Sequence, residues 1–257
     1  YKFITDPNFS SINLESIKTF IFIGEVLTKK MVIKLKEKFK SKEIINSYGP
    51  TEATVATSFI NCSNNIIKKY NDIPIGVEKI NGEILLFDNK NKLSKRGEII
   101  IAGDHVSVGY LNLPEANENS FFNYKGKRAY RTGDLGYYQD GYLFYSGRKD
   151  NQIKFNGFRI ELDEITKIIC KHNLVSSAVT IPFKRNDLVK KIVSFVILDI
   201  QYKNHTKNVK KELTNWLLDN VPSYMVPSDI KQIDKFPLNN NNKIDINKIK
   251  EMYIKDS

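Results

Sequence analysis

Cysteine, histidine and tryptophan are all scarce in this 257-residue chain, at two, three and one copies. Cys62 and Cys170 stand far apart with no metal-ligand spacing, and His105, His172 and His205 are equally dispersed. Neither a zinc site nor a disulfide framework is written here, and both thiols are expected to be reduced, as in cytosol. No apolar run approaches the roughly 18 residues that a membrane span needs. No charged-then-apolar leader precedes Tyr1. The expectation is a cytoplasmic chain, part of something longer, with no membrane span.

Aromatics are plentiful, with 13 Tyr and 15 Phe in a chain that is 41% hydrophobic, which argues for a folded globular protein. They are not interleaved with basic residues into a base-stacking platform, so nucleic acid is not the expected partner. The net charge of +11 is spread over dispersed pairs such as Lys29-Lys30, Lys68-Lys69, Lys190-Lys191 and Lys210-Lys211. Solvated faces account for such a distribution, and an acidic partner is the alternative.

Taken in order, Thr19 to Ile23 reads as a parallel strand buried on both faces, ending at Gly24. Thr28 caps an amphipathic helix to Lys40 with Met31, Val32, Leu35 and Phe39 on one face. Ile44-Ile45 opens a second strand, and the β-α-β order points to an α/β core. That strand runs into Asn46-Ser47-Tyr48-Gly49-Pro50-Thr51-Glu52. Loops at the C-terminal ends of parallel strands are where open α/β sheets place ligands. Tyr48 offers a ring for a base, Thr51 a hydroxyl for phosphate and Glu52 a carboxylate for Mg²⁺. An ordinary strand-to-helix turn with a capping Thr fits the same residues.

From Pro74 the pattern changes to short strands, Glu83 to Phe87, Gly97 to Ile101 and Val106 to Tyr110, whose spacing suggests a small barrel or sandwich. His105 and the glycines between them read as structural. Tyr137 to Tyr145 reads as a hairpin turned at Asp140-Gly141. That turn brings together Asp134, in Tyr130-Arg-Thr-Gly-Asp, and Arg148, in Tyr145-Ser146-Gly147-Arg148, so both can face a hydroxylated anion. Beyond Asp150 come a strand to Phe155, a turn at Asn156-Gly157, extended structure to Ile160 and a helix over Glu161 to His172. Strands at Ser177 to Pro182 and Lys191 to Leu198 and a helix from Val209 to Leu218 follow. This is a compact α+β region of about 100 residues, a size that folds alone. Lys243 follows four asparagines on a polar loop, where a surface lysine is the simplest reading.

Asn46 to Glu52, Gly97 to Tyr110, Tyr130 to Leu135, Gly147 to Leu162 and Leu238 to Asp245 resemble, in order, the signatures of the adenylate-forming superfamily. The resemblance covers nearly the whole chain. Gly24-Glu-Val-Leu27, Tyr48 to Ala56, Val106 to Leu111 and Gly141 to Arg148 are similar to its D-alanine-activating branch. It implies an α/β plus α+β fold. Residues 1–149 would end a large N-terminal adenylation domain, with an α/β portion and a small β-barrel. Residues 150–257 would form a small mobile α+β lid.

The implied activity is ATP-dependent, Mg²⁺-assisted activation of D-alanine as aminoacyl-AMP. Transfer to the thiol of an acidic phosphopantetheinyl carrier protein would follow, for (lipo)teichoic-acid D-alanylation in the cell wall. The implied ATP contacts are Asn46, Ser47, Tyr48, Gly49, Pro50, Thr51, Asp134, Tyr145, Ser146, Gly147, Arg148 and Lys243. Among them Tyr48 would stack on adenine and Asp134 would grip the ribose. Lys243, Thr51 and Glu52 would be catalytic, with Glu52 helping to hold Mg²⁺. Ile23, Val55 and Lys243 would meet the amino acid, Asp150 would be the hinge, and Gly157 would approach the carrier's pantetheine arm.

Three departures stand out. The family's upstream phosphate loop is not in the sequence, so the expectation is a C-terminal half, inactive alone and needing an N-terminal half. Ile23 stands where the D-alanine-activating branch has Cys, which opens the choice of another small amino acid, as in a nonribosomal peptide synthetase adenylation domain. Asn242 replaces a Gly before Lys243, and Asn tolerates the left-handed backbone that such a position needs. A non-catalytic module binding a nucleotide or a carrier protein is the reading from another class.

Overall fold

A computed structural model describes residues 6–9, 14–40, 42–185, 188–202, 208–239 and 242–255. Tyr1, His205 and the middle of the Asn239–Asn242 run therefore lie outside the described residues. The chain forms two compact units, one ending at Asp150 and one beginning at Asn151.

The first unit opens with the β-α-β arrangement read from the sequence. Strand β1 (Thr19–Phe22) pairs in parallel with β2 (Glu43–Tyr48), and helix α1 (Lys29–Lys38) connects them. Thr28 caps α1 by accepting the Met31 N–H at 3.3 Å. Val32, Leu35 and Phe39 bury against Ile44 and Cys62, with Phe20 packed 4.9 Å from Phe39 between ring centres. Strand β1 is not buried on both faces as expected, because Ile21 is 65% exposed. Only Phe20 and Phe22, on the alternate face, reach the helix side, and β1 is the edge of its sheet. Antiparallel strands β3 (Ser58–Asn61) and β4 (Val77–Glu78) complete that sheet, and helix α2 (Asn64–Lys69) leads away from β3.

The second sheet of this unit is antiparallel. Its strands are β5 (Glu83–Phe87), β6 (Arg96–Ala102), β7 (Phe121–Tyr124), β8 (Lys127–Gln139) and β9 (Tyr142–Arg148). The 13-residue β8 pairs with β6, with β7 near its start and with β9 near its end. Ile84, Leu86, Ile99, Ile101, Tyr130 and Leu143 form one buried face, and Phe87, Ile100, Ala102 and Ala129 are buried on the other. Asp140 and Gly141 join β8 to β9 with φ of 52° and 81°, the doubly positive turn that suits the twist of paired strands. Val106 to Tyr110, read as a strand, is irregular backbone. Its Ser107 N–H bonds the Glu52 carbonyl and its Ser107 hydroxyl folds back on Gly109, so it has no ladder to join. Helix α3 (Pro114–Ser120) follows, with Pro at its first turn.

The second unit begins with the hairpin β10 (Gln152–Phe155) and β11 (Phe158–Glu161), turned at Asn156-Gly157 with φ of 53° and 84°. Helix α4 (Leu162–Ile169), strands β12 (Val175–Arg185) and β13 (Leu188–Leu198), and helix α5 (Val209–Asn220) appear where the periodicity put them. Strand β14 (Asp229–Gln232), parallel to β13, and helix α6 (Ile246–Lys255) were not anticipated. Helices α4 and α5 cover one face of the three-stranded sheet through Ile165, Ile169, Leu213 and Leu217. Helix α6 covers the other, burying Ile249 and Tyr253 against Ile181, Val193 and Phe195. Full burial of a large apolar side chain is worth about 1.5–3 kcal/mol, so Ile249 is a principal anchor of α6. No described helix is long and apolar enough to cross a membrane.

Candidate functional site

The β8–β9 register sets Asp134 directly opposite Arg148. Arg148 Nη1 donates to Asp134 Oδ1 at 2.7 Å, while Nε and Nη2 donate to the two oxygens of Asp150, both at 2.6 Å. The Tyr48 hydroxyl, at the end of β2, donates to the other Asp134 oxygen at 2.6 Å. One guanidinium thus holds two carboxylates, and one of them also carries a phenol. Burial opposes the Arg148 charge, but its hydrogen bonds to Asp150 and the charges of Asp134 and Asp150 outweigh it and raise its pKa. Burial, followed by the Asp134 charge, raises the Tyr48 pKa well above its usual value. Tyr145 stands in the same field and is pushed up to about 12, by burial first and then by Asp134.

Gly133 makes this packing possible. Its φ is +71°, and a Cβ there would lie 2.6 Å from Arg148 Nη2 and 2.9 Å from Asp150 Oδ2. Its N–H is held by buried Glu98 at 3.2 Å, which also pairs with Arg131 at 3.3 Å and Lys149 at 3.7 Å. The Thr132 hydroxyl, which donates to the Ile99 carbonyl at 2.7 Å, accepts the Asp134 N–H at 3.0 Å.

The expected nucleotide loop is only partly open. Tyr48 is 6% exposed, with its ring in the core and its hydroxyl engaged. Asn46 donates to the Pro74 carbonyl at 2.9 Å and Ser47 to the Ser58 carbonyl at 2.9 Å, so Asn46 ties β2 to the segment before β4 and Ser47 ties β2 to β3. Gly49 and Pro50 lead into a one-turn 3₁₀ helix, Thr51–Ala53, in which Thr51 is exposed and Glu52 is buried. The chain then enters a strand, not a long helix, after Thr54 and Val55 adopt φ of 57° and 66°. A left-handed β-branched residue is rare, and each such strained residue costs about 1–3 kcal/mol, a cost concentrated at functional sites. The Thr54 hydroxyl bonds the His105 carbonyl at 2.8 Å, and Val55 stays 53% exposed. Ile23 is half-buried just after β1, and Ser146 and Gly147 lie on β9 beside Arg148.

Glu52 accepts two phenol hydrogen bonds on Oε1, from Tyr110 at 2.6 Å and Tyr130 at 2.9 Å. Among the described residues, no group of three or more His, Cys, Asp or Glu could hold a metal ion. A lone carboxylate suits Mg²⁺, which takes one or two carboxylates and completes its shell with phosphate oxygens and water. In the second unit, Lys243 is exposed on a loop closed by the Leu238–Ile244 bridge. Asn239 N–H bonds the Lys243 carbonyl at 2.8 Å, and the Asn239 side chain accepts the Lys243 N–H at 3.1 Å. Asn242 has φ of +57°, the left-handed conformation expected where Asn replaces Gly. Gly157 sits at the β10–β11 turn, beside Phe158, which stacks on Tyr224 at 4.0 Å and 4°.

Residues 2–111 match the AMP-binding enzyme family, and residues 164–243 match the AMP-binding enzyme C-terminal domain. The chain thus carries an AMP-binding domain followed by an AMP-binding C-terminal domain. It is 39% identical, over 96% of its length, to a D-alanine–D-alanyl carrier protein ligase of Bacillus licheniformis, of which it covers 50%. A ligase of the same name from Bacillus anthracis is 37% identical over 96% of the chain, again with 50% of that protein covered. The chain therefore spans about half the length of the curated relatives it matches.

Solved AMP-binding structures share the fold. The Vibrio cholerae adenylation domain AlmE, in complex with glycyl-adenosine-5′-phosphate, superposes with a TM-score of 0.81 at 24% identity, covering 94% of this chain and 45% of AlmE. Holo-PA1221, a nonribosomal peptide synthetase protein containing adenylation and carrier domains, gives 0.78 at 25% identity, covering 96% and 42%. The α/β plus α+β architecture of this AMP-binding chain is thus that of the adenylate-forming enzymes. The candidate residues missed in the sequence are Tyr110, Tyr130 and Glu98. The two tyrosines lay inside the quoted motifs, but only folding shows that their hydroxyls converge on Glu52.

Proposed function

We propose that this AMP-binding chain supplies the ATP site and lid of a ligase that activates D-alanine and passes it to a carrier protein. The observation that carries the reading is the buried Asp134 carboxylate, aligned by Tyr48 and Arg148 in a chain 39% identical to a D-alanine–D-alanyl carrier protein ligase. Asp134 would take the ribose hydroxyls, with Tyr48 and Tyr145 beside it, and Arg148 would serve the ribose and phosphate side. Asn46, Ser47, Gly49, Pro50, Ser146 and Gly147 would shape that wall, with Asn46 and Ser47 contributing through their backbone. Thr51 would meet phosphate. Glu52 would hold Mg²⁺, which supplies neutralising charge to the phosphoryl oxygens.

In the first reaction a D-alanine carboxylate oxygen bonds to the α-phosphorus while the α–β bridging bond breaks and pyrophosphate leaves. Two anions meet, so positioning and positive charge dominate catalysis. Lys243 would bring that charge from the second unit. In the second reaction a carrier thiolate sulfur bonds to the acyl carbon and AMP leaves. A rotation at Asp150 would withdraw Lys243 and bring Gly157 to the pantetheine arm. Residues 1–149 would then be the end of the large domain and 150–257 the mobile one. The exposed lysines would suit an acidic carrier, and the product would serve teichoic-acid D-alanylation from the cytoplasm.

Ile23 favours a second reading, adenylation of another small amino acid, because a bulkier wall changes the pocket. ATP–pyrophosphate exchange separates the two. It would be run with the chain alone and with the chain fused to the amino-terminal half of the B. licheniformis ligase, after melting shows the fusion folded. D-alanine-dependent exchange by the fusion is expected, with none by the chain alone. Exchange with another amino acid and none with D-alanine would replace the substrate. No exchange with any would overturn the activity.

A further inference from the structure

Glu52 is surrounded by construction that the reaction outlined above does not use. Both phenols reach the same oxygen, and their own hydroxyls lie 3.3 Å apart. Tyr130 is fully buried on β8, its ring 5.0 Å from Phe121, and the Tyr110 ring stands 5.3 Å from that same Phe121. Tyr110 belongs to irregular backbone, yet its loop is tied repeatedly. Arg128 donates to the Ser107 and Val108 carbonyls, both at 2.6 Å, and the Ser107 N–H bonds the Glu52 carbonyl at 2.8 Å. The Asn117 side chain clamps Tyr110 itself, accepting its N–H at 2.6 Å and donating to its carbonyl at 2.8 Å. Gly109, at φ +130°, admits this clamp, since a Cβ there would lie 2.6 Å from Asn117 Oδ1.

The loop is anchored in the core by Val106, while Val108 beside Ser107 is 92% exposed. What it delivers is one phenol oxygen onto a buried carboxylate. A carboxylate with one oxygen doubly hydrogen-bonded has lost its rotation, so its remaining lone pairs have a set direction. We propose that Tyr110, clamped by Asn117, and Tyr130 are positioning residues that orient Glu52 toward the divalent cation accompanying the nucleotide. The proposal rests on Glu52 being the Mg²⁺ carboxylate.

Calorimetry of ATP binding, in saturating Mg²⁺ and in EDTA, tests it without requiring turnover. The sample is the chain or, where the chain alone gives no heat, the fusion described above. Tyr110→Phe and Tyr130→Phe should each weaken Mg²⁺-supported binding by about tenfold, the lower end for partners behind a metal ligand, and leave binding in EDTA unchanged. Asn117→Ala should do the same in smaller measure with both hydroxyls intact, which keeps the test open if a tyrosine variant fails to fold. Glu52→Gln should abolish the Mg²⁺ effect. Equal weakening with and without Mg²⁺ would mean a merely structural role for the tyrosines. So would no change in Tyr110→Phe and Tyr130→Phe while Glu52→Gln abolishes the effect. Either result overturns the positioning proposal alone. An unaltered Mg²⁺ effect in Glu52→Gln would overturn the metal assignment beneath it. Absence of ATP binding by chain and fusion would overturn the nucleotide site itself.

Discussion

Replacing Arg148 with methionine removes three hydrogen bonds, and they are not of equal weight. The Asp150 side chain is 46% exposed, so its pair counts as a surface ion pair worth about 0–1 kcal/mol. The Asp134 side chain is only 6% exposed, and loss of its partner leaves a buried charge whose side-chain donor is the Tyr48 hydroxyl. Breaking a buried pair from one side costs about 3–5 kcal/mol, and the surviving phenol bond places the expectation near 3 kcal/mol. At about 2–4 °C per kcal/mol for a unit of this size, the melting temperature of the first unit should fall by about 6–12 °C. Near-UV circular dichroism, dominated there by tyrosine, and urea unfolding would read the change. The Arg148→Met, Asp134→Asn double variant carries no orphan charge. Its destabilisation should therefore fall short of the sum of the singles by about 0.5–3 kcal/mol. Strict additivity, or a single-variant shift below about 2 °C, would refute an energetically meaningful buried pair.

The second unit should show its own acid sensitivity. Burial pushes the Asp229 carboxyl up, but the Lys210 bond at 2.6 Å, the Tyr253 hydroxyl and the charges of Lys210 and Lys231 prevail and hold it below the usual range. With a folded pKa below the unfolded one, Asp229 contributes stability above the ordinary carboxylate range and loses it as pH falls through the lowered value. Asp229→Asn should flatten that limb in acid titrations followed by Trp216 fluorescence; coincident acid limbs for the two proteins would contradict it. At the lysine loop, Asn242→Gly in the fusion should preserve pyrophosphate exchange, whereas Asn242→Val must force a β-branched residue into the left-handed region and should impair it. Lys243→Ala should lower adenylation by about 10²–10³-fold, by analogy with loss of one preorganised donor, and a fusion variant that kept full pyrophosphate exchange would remove Lys243 from catalysis.

Local periodicity made α1, α4, α5 and the two primed hairpins legible, because each is decided by residues within a few positions of one another. Helix α6 repeats Ile246, Ile249 and Tyr253 at helical spacing, but Lys248, Lys250 and Glu251 between them leave only a narrow apolar stripe to read. Strand β14 carries only four residues and is defined by pairing with β13 more than 30 positions earlier, which no local pattern displays. The left-handed Thr54 and Val55 could not be foreseen either, because β-branched residues argue against that backbone everywhere else. Asn242 shows the converse, because Asn tolerates the left-handed region and its φ is +57°.

The most consequential difference lies at Asp134. Its spacing to Arg148 correctly placed the two together, as if both faced a ligand, but spacing is silent about what else seeks the same charge. Tyr48, 86 positions away, and Asp150, two positions on, complete the set, so each group already has its partner. A ribose would therefore exchange hydrogen bonds with Tyr48 and Arg148 on Asp134, not fill an unmet demand. Affinity would then depend on the difference between the two sets of bonds. Because Arg148 holds Asp150 with the same guanidinium that holds Asp134, that exchange would also reach the last residue of the first unit.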